Sequence, residues 1–94
     1  AGDIISINGT NDYDNFDIEE QEYAMYCMNE AIKSALRNTD VSTRFSSEQF
    51  LVILLNVTEI DVNTILRRIY ERFDKDYRRN AVNVSYDIAD LSDK

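Results

Sequence analysis

Arg44-Phe45-Ser46-Ser47-Glu48-Gln49-Phe50, followed by Leu51-Val52-Ile53-Leu54-Leu55, decides how this chain is read. Val41, Thr43 and Phe45 alternate with Ser42 and Arg44, the period of a half-buried strand. Residues 50–55 are continuously apolar, the pattern of a central strand covered on both faces. Between the two runs stands only the polar tip Ser-Ser-Glu-Gln. A short polar tip between apolar strands is a hairpin signal, and here it predicts a tight two-residue turn.

Reading outward from the hairpin gives the rest of the order. Asp3-Ile4-Ile5-Ser6-Ile7-Asn8 is a β-branched run that stops at Gly9, and residues 9–17 are turn-formers. Asp17 with Glu20 is a helix start signal. From Ile18 to about Arg37, the apolar residues Ala24, Cys27, Met28, Ala31, Ala35 and Leu36 recur at helical spacing. Asn38-Thr39-Asp40 turns the chain into the first hairpin strand.

Beyond the hairpin, Thr58 and Asp61 bracket a second helix start. Val62, Ile65, Leu66, Ile69 and Phe73 form its apolar stripe, and Arg67, Arg68, Glu71 and Arg72 its wet face. After residues 75–80, Val82, Val84, Tyr86 and Ile88 alternate with Asn83, Ser85 and Asp87 as a last strand. The order is β-α-β-β-α-β, the split βαβ layout. It predicts an α+β fold with a ferredoxin-like core: a four-stranded antiparallel sheet with two helices on one face.

The 94 residues form one small domain, 1–94, of ordinary hydrophobic content at 44%. The 18 acidic residues outweigh 10 basic ones, for a net charge of -8. Such a field repels nucleic acid and anionic membranes, so neither is an expected partner. Any nucleotide site must be a local basic patch. Cys27 is the single cysteine, so no intramolecular disulfide forms, and the lack of histidine excludes Cys-His and Ser-His nucleophilic sites. No secretory signal and no apolar run of about 20 residues is visible, which points to a cytoplasmic setting.

The hairpin resembles the signature of the GGDEF domain, the catalytic module of diguanylate cyclases. There the tip reads Gly-Gly-Asp/Glu-Glu-Phe after an Arg-Tyr/Phe pair. Ser34 to Phe45 resembles the segment that leads into it. Val82-Asn83-Val84-Ser85-Tyr86-Asp87-Ile88-Ala89 is similar to the family's Val-Thr-Val-Ser-Ile-Gly-Ile-Ala strand. The resemblance covers about residues 3–90 and implies a piece of a larger bacterial signal-transduction protein.

It also implies that the cyclase chemistry is mostly erased. Ser46 and Ser47 replace glycines that let the backbone approach GTP phosphates and accept positive φ without cost, so a tight turn there should be strained. Glu48 keeps the third, acidic position, but Gln49 neutralises the fourth, and an amide is neither a base nor a good ligand for a hard cation. Ile5 and Ile7 fall where the family places metal-binding acids, and Asp12 and Asp14 lie too far along to replace them. Gln21-Glu22 falls where the family recognises guanine. No metal site is expected, and Mg²⁺ enters only with residual nucleotide activity.

Arg37-Asn38-Thr39-Asp40 matches the family's Arg-x-x-Asp inhibitory motif, five residues before the tip, and implies Arg37 and Asp40 as ligands of cyclic di-GMP. Charged turns at helix ends are also common, and Asp40 could simply pair with Arg37. Arg67, Arg68 and Arg72 could add phosphate contacts or form a solvated face. Cys27 and Met28 read as core, and Tyr13, Tyr23, Tyr26, Tyr70, Tyr77 and Tyr86 mostly as amphipathic edges.

Three readings follow. The leading one is a catalytically inactive regulatory or signalling domain that can hold cyclic di-GMP at Arg37 and Asp40. The others are a weakly active nucleotide-binding or nucleotide-hydrolysing domain, and a ligand-free protein-interaction module whose acidic surface meets a partner.

Overall fold

The computed structural model describes residues 2–11, 18–77 and 82–90. Its elements are β1 (Gly2–Asn11), α1 (Ile18–Ala35), β2 (Val41–Arg44), β3 (Gln49–Leu55), α2 (Glu59–Asp76) and β4 (Val82–Asp90). The strands form one antiparallel sheet in the order β2-β3-β1-β4, so each βαβ crossover skips a strand. The expected α+β architecture is the observed one.

The pleat sorts the sheet into two faces. Ile5 and Ile7 of β1 pair with Val52 and Phe50 of β3. With Leu54 these side chains are at most 2% exposed, packed against the helices. α1 adds Ala24, Met25, Cys27, Met28, Ala31 and Ile32, and α2 adds Val62, Ile65, Leu66, Ile69 and Phe73. Cys27 is therefore core. The two helices pack on one another over the same sheet face. Thr58 caps α2 with a capping box: its hydroxyl accepts from the Asp61 N–H at 3.2 Å, and the Asp61 carboxylate accepts from the Thr58 N–H at 3.2 Å. Tyr77 at the far end is buried, and its hydroxyl donates to Glu20 at 2.6 Å, tying the end of α2 to the start of α1.

Several boundaries and exposures differ from the sequence reading. β1 does not stop at Gly9 but runs to Asn11, because it pairs with β4 along that whole length. α1 ends at Ala35, leaving Leu36 and Arg37 outside it. β3 is not covered on both faces: Phe50, Val52 and Leu54 are buried, whereas Leu51 and Ile53 on the other face are only half-buried. β2 is not half-buried either. It is a sheet edge, with Val41 56% and Phe45 65% exposed. Alternation in residues 41–45 marked the pleat correctly, but the apolar members point to the face without helices.

Asp12, Tyr13, Asp14 and Asp17, and residues 78–80 of the expected turn before β4, lie outside the described residues.

Candidate functional site

The hairpin tip closes on the Ser46–Gln49 pair, as a two-residue turn over Ser47 and Glu48. The Gln49 carbonyl accepts from the Phe45 N–H at 2.8 Å and the Ser46 N–H at 3.2 Å, and the Gln49 N–H reaches the Ser46 carbonyl at 3.5 Å. Asn56 is the one described non-glycine residue at positive φ, so Ser46 and Ser47 both keep negative φ. The expected backbone strain at the serines is therefore absent. A turn built on negative φ removes the need for glycine, and the Ser46 hydroxyl accepts from the Glu48 N–H at 3.2 Å within it.

The tip is anchored from three sides. The Gly9 N–H of β1 donates to the Glu48 carbonyl at 2.7 Å. Arg44 donates to the Ser46 and Ser47 carbonyls at 3.0 and 3.1 Å, and its fork holds Glu22 of α1 at 3.1 and 2.8 Å. Gln21, 1% exposed, donates its amide to the Gly9 carbonyl at 3.0 Å and the Ser47 carbonyl at 3.3 Å. Its Oε1 finds no donor among the described residues. Beneath Arg44 lies a hollow of about 300 Å³ lined by Glu22, Met25, Tyr26, Asn29, Arg44 and Phe50.

At the positions where cyclase chemistry is expected, the side chains do other things. Ile5 and Ile7 are enclosed in the core. Glu48 is exposed at the tip. Gln49 donates its amide to the Ser6 hydroxyl on the helix-free face. Gln21 and Glu22 are engaged with the tip, Glu22 with its carboxyl held below the ordinary range by the Arg44 hydrogen bond. No three Cys, Asp or Glu residues gather as a metal-binding set among the described residues. The described side chains thus do not fit a two-metal phosphoryl-transfer centre, which needs several carboxylates in one geometry.

At the α1–β2 corner the structure brings Arg37 and Asp40 together. Arg37 Nε and Nη2 each reach a different Asp40 oxygen at 2.9 Å, and the Arg37 backbone N–H adds a third bond at 2.9 Å. Nη2 also donates to the Leu55 carbonyl at 3.0 Å. The Asp40 side chain is fully enclosed, while that of Arg37 is 41% exposed. The Arg37 hydrogen bond holds the Asp40 carboxyl below its usual value against the opposing effect of burial. Beside this clasp is a hollow of about 190 Å³ lined by Ala35, Arg37, Asp61, Thr64, Ile65 and Arg68. Arg67 is exposed, and Arg72 pairs with Asp76 at 2.7 Å.

Sequence reasoning singled out Arg37 and Asp40 because they match the Arg-x-x-Asp motif at its spacing from the tip. It missed Gln21 as a buried anchor and the Arg44–Glu22 clasp. A polar residue on the apolar stripe of α1, one turn before Ala24, was the available signal for Gln21.

Comparison with known proteins places this geometry. No curated protein matches the chain. Three solved structures share the fold: the diguanylate cyclase SiaD in complex with its activator SiaC from Pseudomonas aeruginosa (TM-score 0.66, 17% identity), an EAL/GGDEF domain protein from M. capsulatus (0.68, 14%) and a DGC protein from Thermotoga maritima (0.67, 16%). Each alignment covers 93% of this chain, but only 37%, 62% and 63% of the respective structure, so the chain spans less than two thirds of their length. The family model for the diguanylate cyclase GGDEF domain matches residues 22–92. That match spans most of α1, the signature hairpin, α2 and β4, and the chain belongs to the GGDEF family.

Proposed function

We propose that this chain is a catalytically inactive GGDEF domain with a regulatory or signalling role inside a larger bacterial protein. The observation that carries the reading is the tip. Serine side chains stand where a phosphate would need bare backbone, Gln49 is turned to Ser6, and Ile5 and Ile7 are core. Glu48 alone remains as a carboxylate there. In water its role is that of a solvated turn residue. Mg²⁺ would matter only to residual nucleotide chemistry.

The test is incubation with GTP and Mg²⁺ or Mn²⁺, followed by chromatography for cyclic di-GMP. The expected result is no product above a control without protein. Product that disappears in Glu48→Ala overturns the reading.

A second reading, cyclic di-GMP bound at the α1–β2 corner, is favoured by the half-exposed Arg37 beside Arg68 in one hollow. Asp40 already accepts three bonds from Arg37. The ligand would therefore meet the outer edge of the Arg37 guanidinium first, and reach Asp40 only by displacing that arginine. Against a net charge of -8, affinity must come from such short contacts. Calorimetric titration checks this: binding should weaken about thirtyfold in Arg37→Ala. Unchanged binding in that variant places the ligand elsewhere. The partners expected in either case are the other domains of the parent protein.

A further inference from the structure

Two carboxylates stand at the α1–β2 corner, and they are not alike. The Asp40 side chain is fully enclosed and accepts three hydrogen bonds from Arg37, shared between both of its oxygens. A carboxylate has about four acceptor sites, so little of Asp40 is left to offer a ligand. Asp61, in the first turn of α2, is half-buried and lines the hollow beside the clasp. Its Oδ2 accepts from the Thr58 N–H at 3.2 Å, and its Oδ1 meets no donor among the described residues.

Arg37 divides in the same way. Nε and Nη2 are engaged with Asp40 and the Leu55 carbonyl, whereas Nη1 has no acceptor among the described residues. The Asp40 hydrogen bond raises the Arg37 pKa most, and the Asp61 charge, close by, adds to it. Arg68 lines the same hollow, is exposed, and has no ion-pair partner among the described residues. The hollow thus sets donors and an acceptor side by side: Nη1 of Arg37 and the Arg68 fork for oxygen atoms, Asp61 for an N–H edge. Its volume of about 190 Å³ is below the roughly 300–1,000 Å³ that encloses a whole drug-sized ligand, so it takes one end of a larger molecule.

We propose that Asp61, and not Asp40, is the carboxylate that reads the base of cyclic di-GMP at this corner, with Asp40 acting only to position Arg37. The inference rests on the binding of cyclic di-GMP there. The Watson–Crick edge of guanine carries two N–H donors side by side, a match for a carboxylate. Asp40 cannot accept them without releasing Arg37, and parting a buried ion pair is costly. Asp61 accepts them while the Arg37–Asp40 clasp stays closed. Adenine places a ring acceptor beside a single amino donor, so its edge turns a lone pair on the carboxylate. Selection of guanine over adenine therefore falls to a residue outside the Arg-x-x-Asp pattern.

Asp61→Asn separates this role from capping. The asparagine side-chain oxygen still accepts from the Thr58 N–H, while its amide turns donors toward the donor edge of guanine. Circular dichroism confirms that the variant is folded.

Calorimetric titration of the chain with cyclic di-GMP and with cyclic di-AMP, each to about 1 mM, tests the proposal. The wild type should prefer cyclic di-GMP by at least about tenfold. Asp61→Asn should bring the two within about threefold of each other, by weakening cyclic di-GMP and leaving cyclic di-AMP as it was. Asp40→Asn loosens the Arg37 fork and should weaken both dinucleotides alike. Equal affinity of the wild type for the two overturns the proposal, as does a preference that survives Asp61→Asn. Either result leaves the corner standing as a binding site. Failure of the wild type to bind either dinucleotide, or binding untouched by Arg37→Ala, removes the corner site itself and the proposal with it.

Discussion

Two arginines bracket β2, and each holds a carboxylate with its fork and at least one backbone carbonyl besides. Arg37, just before the strand, holds Asp40 and the Leu55 carbonyl. Arg44, at its end, holds Glu22 and the carbonyls of Ser46 and Ser47. The chemistry is the same and the surroundings are opposite. The Asp40 side chain is fully enclosed; that of Glu22 is 53% exposed. A carboxylate cut off from water depends on its protein donors, because an unpaired buried charge is costly. A carboxylate in water exchanges one set of hydrogen bonds for another at little net gain. The first clasp is part of the fold. The second positions the hairpin tip but adds little to stability.

The largest expected effect follows from the enclosed acid. Asp40→Ala strips three hydrogen bonds from the corner, including that of the Arg37 backbone N–H. The cost should be about 2 kcal/mol, read as a lower urea midpoint with unchanged slope. A change in slope as well would mean that the corner organises more of the fold than its own turn.

Acid should expose the same difference without a mutation. The folded-state pKa of Asp40 is lowered, chiefly by the Arg37 hydrogen bond. Its contribution is therefore complete above its unfolded pKa, near 4, and drains away as pH falls further through the lowered folded value. Wild type should lose stability below about pH 4 more steeply than Asp40→Asn, which has no proton to take up there. Parallel pH profiles for the two would remove the clasp from the acid limb.

The contrast also explains what could be read in advance. The Arg37–Asp40 pair is local, three residues apart across a helix end, and its residue types announce it. The α2 stripe Val62, Ile65, Leu66, Ile69 and Phe73 was legible for the same reason: helical period is written in neighbouring residues, and all five are buried. The Thr58–Asp61 cap belongs with them. What stayed hidden depends on which segments meet. Nothing near Arg44 points to Glu22, 22 positions earlier. Nothing in residues 41–45 says that β2 is an edge whose apolar side turns away from the helices. Gln21 stands on the apolar stripe of α1, which signals burial, but the carbonyls of Gly9 and Ser47 that its amide meets come from segments far along the chain. The reading of strained serines failed because it assumed positive φ at the tip, whereas Ser46 and Ser47 keep negative φ.

A smaller effect separates the two jobs of Arg44. Arg44→Ala removes the donors of the Ser46 and Ser47 carbonyls, which water can replace at an exposed tip. The expected cost is about 1 kcal/mol or less by denaturation. Backbone amide exchange at residues 46–48 should quicken even so, because those carbonyl contacts set the shape of the loop. Exchange left unchanged would assign the tip's order to Gln21 and Gly9 alone.

The smallest effect is the pairing between Arg44 and Glu22 itself, which a double-mutant cycle isolates from everything else Arg44 does. Glu22→Gln keeps the size, removes the charge and turns one of the two oxygens that accept from Arg44 into an amide donor. Its carboxyl is held below the ordinary range by Arg44, so the two groups do interact. Both ends are nevertheless wet, with 37% and 53% of their side chains exposed. Exposed pairs of this kind are screened and carry the entropy of fixing two long side chains. The coupling measured for Arg44→Ala with Glu22→Gln should be barely resolved at ~0.05 M salt and absent at ~1 M. A coupling that survives high salt would mean that the Arg44 fork is shielded by the hollow it covers, and the two clasps would then differ in degree instead of in kind.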